Sequence, residues 1–230
     1  MKKLMAVFLC LLMGLALSAC TSTPGQPEVN LAIVVGAHAN APTPTLQGET
    51  VYNCIMESTA SYGSVCVVVD DGAPYAVAEY DIAAPTKNLS TAKRAEIAQE
   101  QTAQIMAVMS EAAAVTPEVD VLSGIELAAR ALQDKTGERI LILLESGLST
   151  AGYMDFTQNL LYASTETVLS HLESKQAIPD LTGISVIWVG LGDVAGIQKP
   201  LTPANKNSLQ ELWSAVLYAG GATSVEFAAD

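Results

Sequence analysis

Two apolar runs, Leu31-Ala-Ile-Val-Val-Gly36 and Ile140-Leu-Ile-Leu-Leu-Glu-Ser-Gly147, decide how this chain folds. Neither alternates polar with apolar residues, so each reads as a strand covered on both faces, the pattern of a parallel sheet held between helices. The first run ends at Gly36 and the second at Glu145-Ser146-Gly147. Polar residues just beyond the carboxyl ends of buried strands are where open α/β sheets keep their ligands.

The same texture recurs at Val65 to Val69, Ile184 to Val189 and, more briefly, Ser224 to Phe227. Asp70-Asp71-Gly72-Ala73-Pro74 supplies turn chemistry before Tyr75 to Ile82, and a turn this short joins only antiparallel neighbours. Helical periods fill the gaps. Leu46, Val51, Cys54, Ile55 and Ser58 make a stripe along Thr45 to Ser61, and Ile97, Gln101, Ile105, Val108 and Ala112 make one along Ser90 to Ala114. Asp120 caps a helix that turns Leu122, Ile125, Ala129 and Leu132 inward, and Ser164 to Ser174 does the same with Val168, Leu169 and Leu172. Thr202-Pro203 opens a last helix through Leu209, Leu212, Trp213, Val216 and Leu217, which Gly220-Gly221 stops. The resulting order, β-α-β-β-α-α-β-α-β-α-β, predicts a doubly wound α/β fold: a mostly parallel sheet of six strands, one antiparallel strand at an edge, and helices on both faces.

The start of the chain has a different character. Lys2 and Lys3 precede an apolar stretch from Leu4 to Leu17, and Leu17-Ser18-Ala19-Cys20 follows. That stretch falls short of the roughly 20 apolar residues of a comfortable transmembrane helix. It resembles a bacterial lipoprotein signal, which implies removal of residues 1–19 and acylation of Cys20 on the extracytoplasmic face of a membrane. Residues 20–29, with Pro24, Gly25 and Pro27, then read as a tether, and 30–230 as one domain.

The formal charge of −13, from 24 acidic and 11 basic residues, excludes nucleic acid and an anionic lipid surface as partners, since both would repel the body. Membrane contact is therefore expected through the lipid anchor alone. With Cys20 acylated, Cys54 and Cys66 remain as an even pair in an oxidising compartment, and either a disulfide or two buried thiols fits the spacing. No HExxH, CxxC or phosphate-binding loop occurs. Gly190-x-Gly192-x-x-x-Gly196 misses the dinucleotide spacing, and Met106 with Met109 reads as core filling rather than a soft-metal box.

The element order, with its early hairpin, resembles the von Willebrand factor A fold over about residues 30–228. Supporting segments are the two opening runs, Leu122-Ser-Gly-Ile-Glu-Leu-Ala128 before strand four, Gly190-Leu-Gly192 after strand five, and Trp213 to Gly221. The resemblance implies the strand order 3-2-1-4-5-6, with strands one and four side by side. Many A domains hold Mg²⁺ through Asp-x-Ser-x-Ser after strand one, a Thr in a following loop and an Asp after strand four. Here Gly36, His38 and Asn40 occupy the first set of positions, and Glu145 alone keeps a carboxylate. An imidazole suits hard Mg²⁺ poorly, so no metal or other cofactor is expected, Glu145 and His38 being the only metal-ligating types in the pattern.

The crevice implied by that order would be lined by Gly36, His38, Asn40, Ser123, Glu145, Ser146 and Ser149. Two readings of these residues stay open. In one, Asn40 and Ser123 cap turns or helix ends and a His38 and Glu145 pair fixes two loops. In the other they recognise a ligand, a protein or cell-envelope component. The expected function is a lipid-anchored binding module of adhesion type. The alternatives are an envelope enzyme using His38 and Glu145 as acid and base, and a purely structural scaffold. A Ser146, His38 and Glu145 triad lacks the Gly-x-Ser-x-Gly elbow, and adjacent residues at a strand exit rarely face the same way.

Overall fold

The computed structural model describes residues 27–38, 49–196 and 198–228, so Cys20, Asn40, the leader and most of the tether lie outside the described residues. The six strands are β1 (Val29–Gly36), β2 (Ser64–Asp70), β3 (Tyr75–Asp81), β4 (Glu138–Leu144), β5 (Ser185–Val189) and β6 (Ser224–Ala228). They form one sheet in the order β3-β2-β1-β4-β5-β6, in which β2 and β3 pair antiparallel and every other neighbouring pair is parallel. This is the order and class expected from the sequence.

Successive side chains of β1 point to opposite faces, and each face has its own cover. Leu31, Ile33 and Val35, with Val65, Val67, Ile140 and Ile142, pack against α1 (Glu49–Ser61) and α2 (Thr91–Glu111). Ala32 and Val34, with Val68, Leu141, Leu143, Val186 and Trp188, pack against α3 (Val121–Gln133), α4 (Thr165–Ser174) and α5 (Pro203–Ala219). Right-handed crossovers require this division. The chain steps from β1 to β2 one way along the sheet and from β4 to β5 the other way, which places the connecting helices on opposite faces and opens a crevice between β1 and β4.

At the amino ends of the central strands, buried Asn30 ties three segments together. Its Nδ2 donates to the Thr136 carbonyl at 2.6 Å, and its Oδ1 accepts from the Ser64 amide at 3.0 Å and the Ser64 hydroxyl at 2.9 Å. The caps foreseen at Asp120 and Thr202 accept from the amides of Ser123 and Asn205, and Ser164 caps α4 by accepting from Thr167. Such a cap contributes roughly 1 kcal/mol.

Two expectations need correction. The buried face of α2 is Ala98, Thr102, Ile105 and Met109, one residue round from the expected stripe, with Ile97 and Gln101 only half-buried. The reason is polar: Thr102 is drawn inward to the Thr59 hydroxyl at 3.2 Å and to Met56 Sδ at 3.2 Å, so hydrophobicity alone misplaces the face. The disulfide alternative also fails. Cys66 faces the α3 side of the sheet and Cys54 packs among residues of the opposite side, so the sheet separates two free thiols. Burial, followed by Glu57, Glu138 and Glu226, pushes the Cys54 thiol up to about 11, and burial followed by Glu79 raises Cys66 to about 11 as well. Among the described residues no helix is long and apolar enough to cross a membrane. Peptide mapping by mass spectrometry without reductant should find Cys54 and Cys66 in separate, unlinked peptides.

Candidate functional site

The crevice forms where β1 and β4 end side by side, with Val35 paired to Leu144. One residue further, Gly36 and Glu145 meet. A Cβ on Gly36 would land on Glu145 Oε2 and lie 3.1 Å from the Leu144 carbonyl oxygen. The glutamate carboxylate therefore occupies the room that a missing side chain leaves, and its side chain is fully buried.

Three donors hold Oε1 of Glu145 there. The Ser146 amide donates at 2.8 Å, the Ser146 hydroxyl at 2.9 Å, and the His38 ring, through Nε2, lies 3.1 Å away. His38 thus seals the carboxylate from above. The loop that carries Glu145 is fixed in turn by two fully buried indoles in contact, Trp188 and Trp213, with ring centroids 5.1 Å apart. Trp188 Nε1 donates to the Glu145 carbonyl at 2.7 Å, and Trp213 Nε1 donates to the Gly147 carbonyl at 2.9 Å. The Gly192 amide donates to the Ser146 carbonyl at 2.7 Å, which ties the loop after β5 to the same place. Gly147 sits at φ +75°, and a side chain there would collide with Leu191.

His38 and Ser146 line an open groove of about 490 Å³, whose far wall is Ala114 to Pro117 with Val119. Asp71 anchors that wall: its Oδ2 accepts from the amides of Val115 at 2.9 Å and Thr116 at 3.1 Å, and its Oδ1 accepts from Ala73 at 2.7 Å. Val115 stands at the rim, 78% exposed. The other expected residues have structural duties. Ser123 donates its hydroxyl to Asp120 Oδ2 at 2.7 Å within the cap of α3, and buried Ser149 accepts from the Val121 amide at 3.1 Å. Asn40 lies outside the described residues.

The sequence reading missed Asp70. Its carboxylate is completely buried, and neither oxygen has a hydrogen-bond partner among the described residues. It lies against α3, since a Cβ on Gly124 would sit 3.5 Å from Asp70 Oδ1. Burial first, then the charges of Glu145, Asp120 and Asp71, hold the Asp70 carboxyl well above the usual range, with the Asp120 backbone N–H offsetting a small part. Strand alternation carried the signal: Asp70 follows Cys66 and Val68 at steps of two, so it points to their face, beneath α3.

The arrangement does not fit the Mg²⁺ site of the resembled family. Gly36 offers no ligand, His38 Nε2 is engaged with Glu145, and the Glu145 oxygen that faces the serine is saturated with donors. No group of three or more His, Cys, Asp or Glu among the described residues is placed to hold a metal ion. Ser146, His38 and Glu145 do not form a serine relay. A serine nucleophile needs the imidazole as its hydrogen-bond acceptor, whereas here Glu145 stands between Ser146 and His38 and accepts the serine hydroxyl itself.

No protein-family profile matches the chain, and no curated protein does either. Among solved structures it is similar to the conserved hypothetical protein BatB from Bacteroides thetaiotaomicron, at 13% identity over 89% of this chain and 91% of that one, with a TM-score of 0.46. An aerotolerance-related membrane protein from Bacteroides fragilis, carrying multiple mutations to serine, is 13% identical over 88% of this chain and 91% of that one, with a TM-score of 0.43. The human COPII-coat protein Sec24c is 11% identical over 89% of this chain and 30% of that one, with a TM-score of 0.38.

The site yields two measurable consequences. Gly36→Ala should cost roughly 1 to 3 kcal/mol in denaturant unfolding, because the methyl group displaces the Glu145 carboxylate from a packed position. Asp70 binds its proton more tightly folded than unfolded, so its contribution to stability is greatest at acid pH and falls as pH rises above the ordinary carboxyl range. Asp70→Asn should remove that decline, leaving the variant more stable than the parent at pH 8 and with a flatter profile between pH 5 and 8.

Proposed function

We propose that this chain is a lipid-anchored, extracytoplasmic binding module that recognises a protein or cell-envelope component through the groove above Glu145, without a metal ion. The observation that carries the reading is the groove itself. It is open, sits where the winding of the sheet reverses, and has one wall stitched to the ends of β1 and β2 and the other clamped by Trp188 and Trp213. A surface pre-organised in this way loses little entropy on binding. The fold is the one that the resemblance to von Willebrand factor A domains implies, and the Leu17-Ser18-Ala19-Cys20 pattern supports the anchor.

Within this reading, the His38 and Glu145 contact shapes the floor of the groove. It performs no acid or base chemistry, because the carboxylate spends its capacity on Ser146 and on the imidazole. Val115, a large apolar side chain left in solvent at the rim, serves as an anchor point for the partner.

One fractionation experiment tests both halves. Cys20→Ala should abolish incorporation of labelled fatty acid and leave the leader uncleaved. Val115→Asp, at an exposed position, should leave the unfolding midpoint within about 0.5 kcal/mol of the parent. It should nevertheless reduce cross-linking to envelope material at least tenfold. Unchanged cross-linking by Val115→Asp would remove the groove from the function.

A further inference from the structure

Behind the groove, the chain buries more carboxyl groups than it supplies with hydrogen-bond partners. Asp70 and Glu145 are both buried, and Asp71 and Asp120 also act on Asp70. Asp71 and Asp120 are satisfied by backbone amides and by Ser123, and Glu145 by Ser146 and His38. Asp70 alone has no hydrogen-bond partner, although it is completely buried; the Asp120 N–H beside it is spent on the Asp71 carbonyl and offsets only a small part of the cost. An isolated buried carboxylate is among the costlier groups a fold can hold, and it is relieved only by a proton or by a cation with donors to share.

His38 is the sole basic side chain placed against this group among the described residues, and it reaches only Glu145. It also lines the groove, so it separates the solvent from the carboxylates beneath. The groove lining combines apolar Val115, Pro117, Val119 and Leu148 with the uncharged polar side chains of Thr116, Ser146, Thr150 and Gln198. A partly apolar groove whose His38 covers buried carboxyl groups fits a four-carbon stem ending in an ammonium.

Resting on the binding reading above, we infer that the groove accepts a lysine side chain of a partner polypeptide, whose ammonium displaces the His38 ring from Glu145 and pairs with Glu145 and Asp70. The stem lies along Val115 and Leu148. An ammonium brings three donors, which suits a pair of carboxylates one of which has no hydrogen-bond partner. The acidic body, at −13, draws such a partner in from a distance. The pairing requires Asp70 to be ionised, so binding releases its proton to solvent. Affinity therefore strengthens as pH rises, the groups facing Asp70 being Glu145 from the β4 exit, Asp120 at the start of α3 and Asp71 in the β2 to β3 turn, with His38 above Glu145.

The test titrates the full-length protein in detergent micelles with Nα-acetyl-lysine N-methylamide, and separately with the norleucine counterpart, while the amide signals of Ser146, Gly147 and Gly124 and the His38 ring signals are followed by NMR. Saturable shifts are expected with the lysine probe, at least tenfold weaker binding with norleucine, and at least tenfold weaker binding of the lysine probe to Asp70→Asn and to Glu145→Gln. Lysine-probe binding should tighten severalfold between pH 5.5 and 8 in the parent but not in Asp70→Asn. Equal response to both probes, no response to either, or unaltered binding by Asp70→Asn overturns the inference. Cross-linking to envelope material that is lost in Val115→Asp yet untouched by Asp70→Asn would overturn the lysine inference while the binding reading stands. Cross-linking untouched by both would remove the binding reading itself.

Discussion

Glu145 can keep its carboxylate at the crevice only because Gly36 has no side chain, and most of the site follows from that steric allowance. The carboxylate lies across the end of β1, which brings it under His38 and leaves Ser146 to turn back and donate to it. Two strands whose ends are about a hundred residues apart in sequence are thereby joined by a hydrogen-bonded cluster as well as by their ladder. The indoles of Trp188 and Trp213 belong to the same construction, because they fix the backbone from which Glu145 projects. A hydrogen bond to a buried carbonyl contributes only about 1 kcal/mol, but leaving that carbonyl unpaired would cost more, so each indole specifies the loop conformation more than it stabilises the fold.

Much of this architecture was legible in the residues. Unbroken apolar runs identified the central strands, the short turn after Val69 identified the antiparallel edge, and Asp120 and Thr202 marked helix starts that the backbone confirms. These signals are local, and each is decided by neighbours a few positions away. The convergence of Gly36 and His38 with Glu145 followed once strands one and four were taken as adjacent.

What stayed hidden depended on partners distant in sequence. Ser149 is the same residue type that lines binding clefts, and only the position of α3 relative to the β4 exit loop shows that it joins Ser123, for which a helix-end duty was one of the two open readings, at the amino end of that helix. The face of α2 turned on a hydroxyl pair, Thr59 and Thr102, that no hydropathy pattern registers. Asp70 was absorbed into the turn that Asp71 to Pro74 does form, although strand alternation aims it inward. For Cys54 and Cys66 a disulfide and two buried thiols stayed equally open, because sequence spacing does not record which side of a sheet a thiol occupies.

The ladder between β2 and β3 slips register between Val67 and Val68, and this irregularity reaches beyond the hairpin. β3 is the last strand on its side of the sheet, and it exposes Glu79 and an Asp81 paired with Lys135. A bent border carrying charged side chains is a poor template for another chain's backbone. Two copies meeting at this border would have to desolvate those charges and straighten the bulge before their amides could align, which guards the fold against edge-to-edge aggregation even when copies are crowded together.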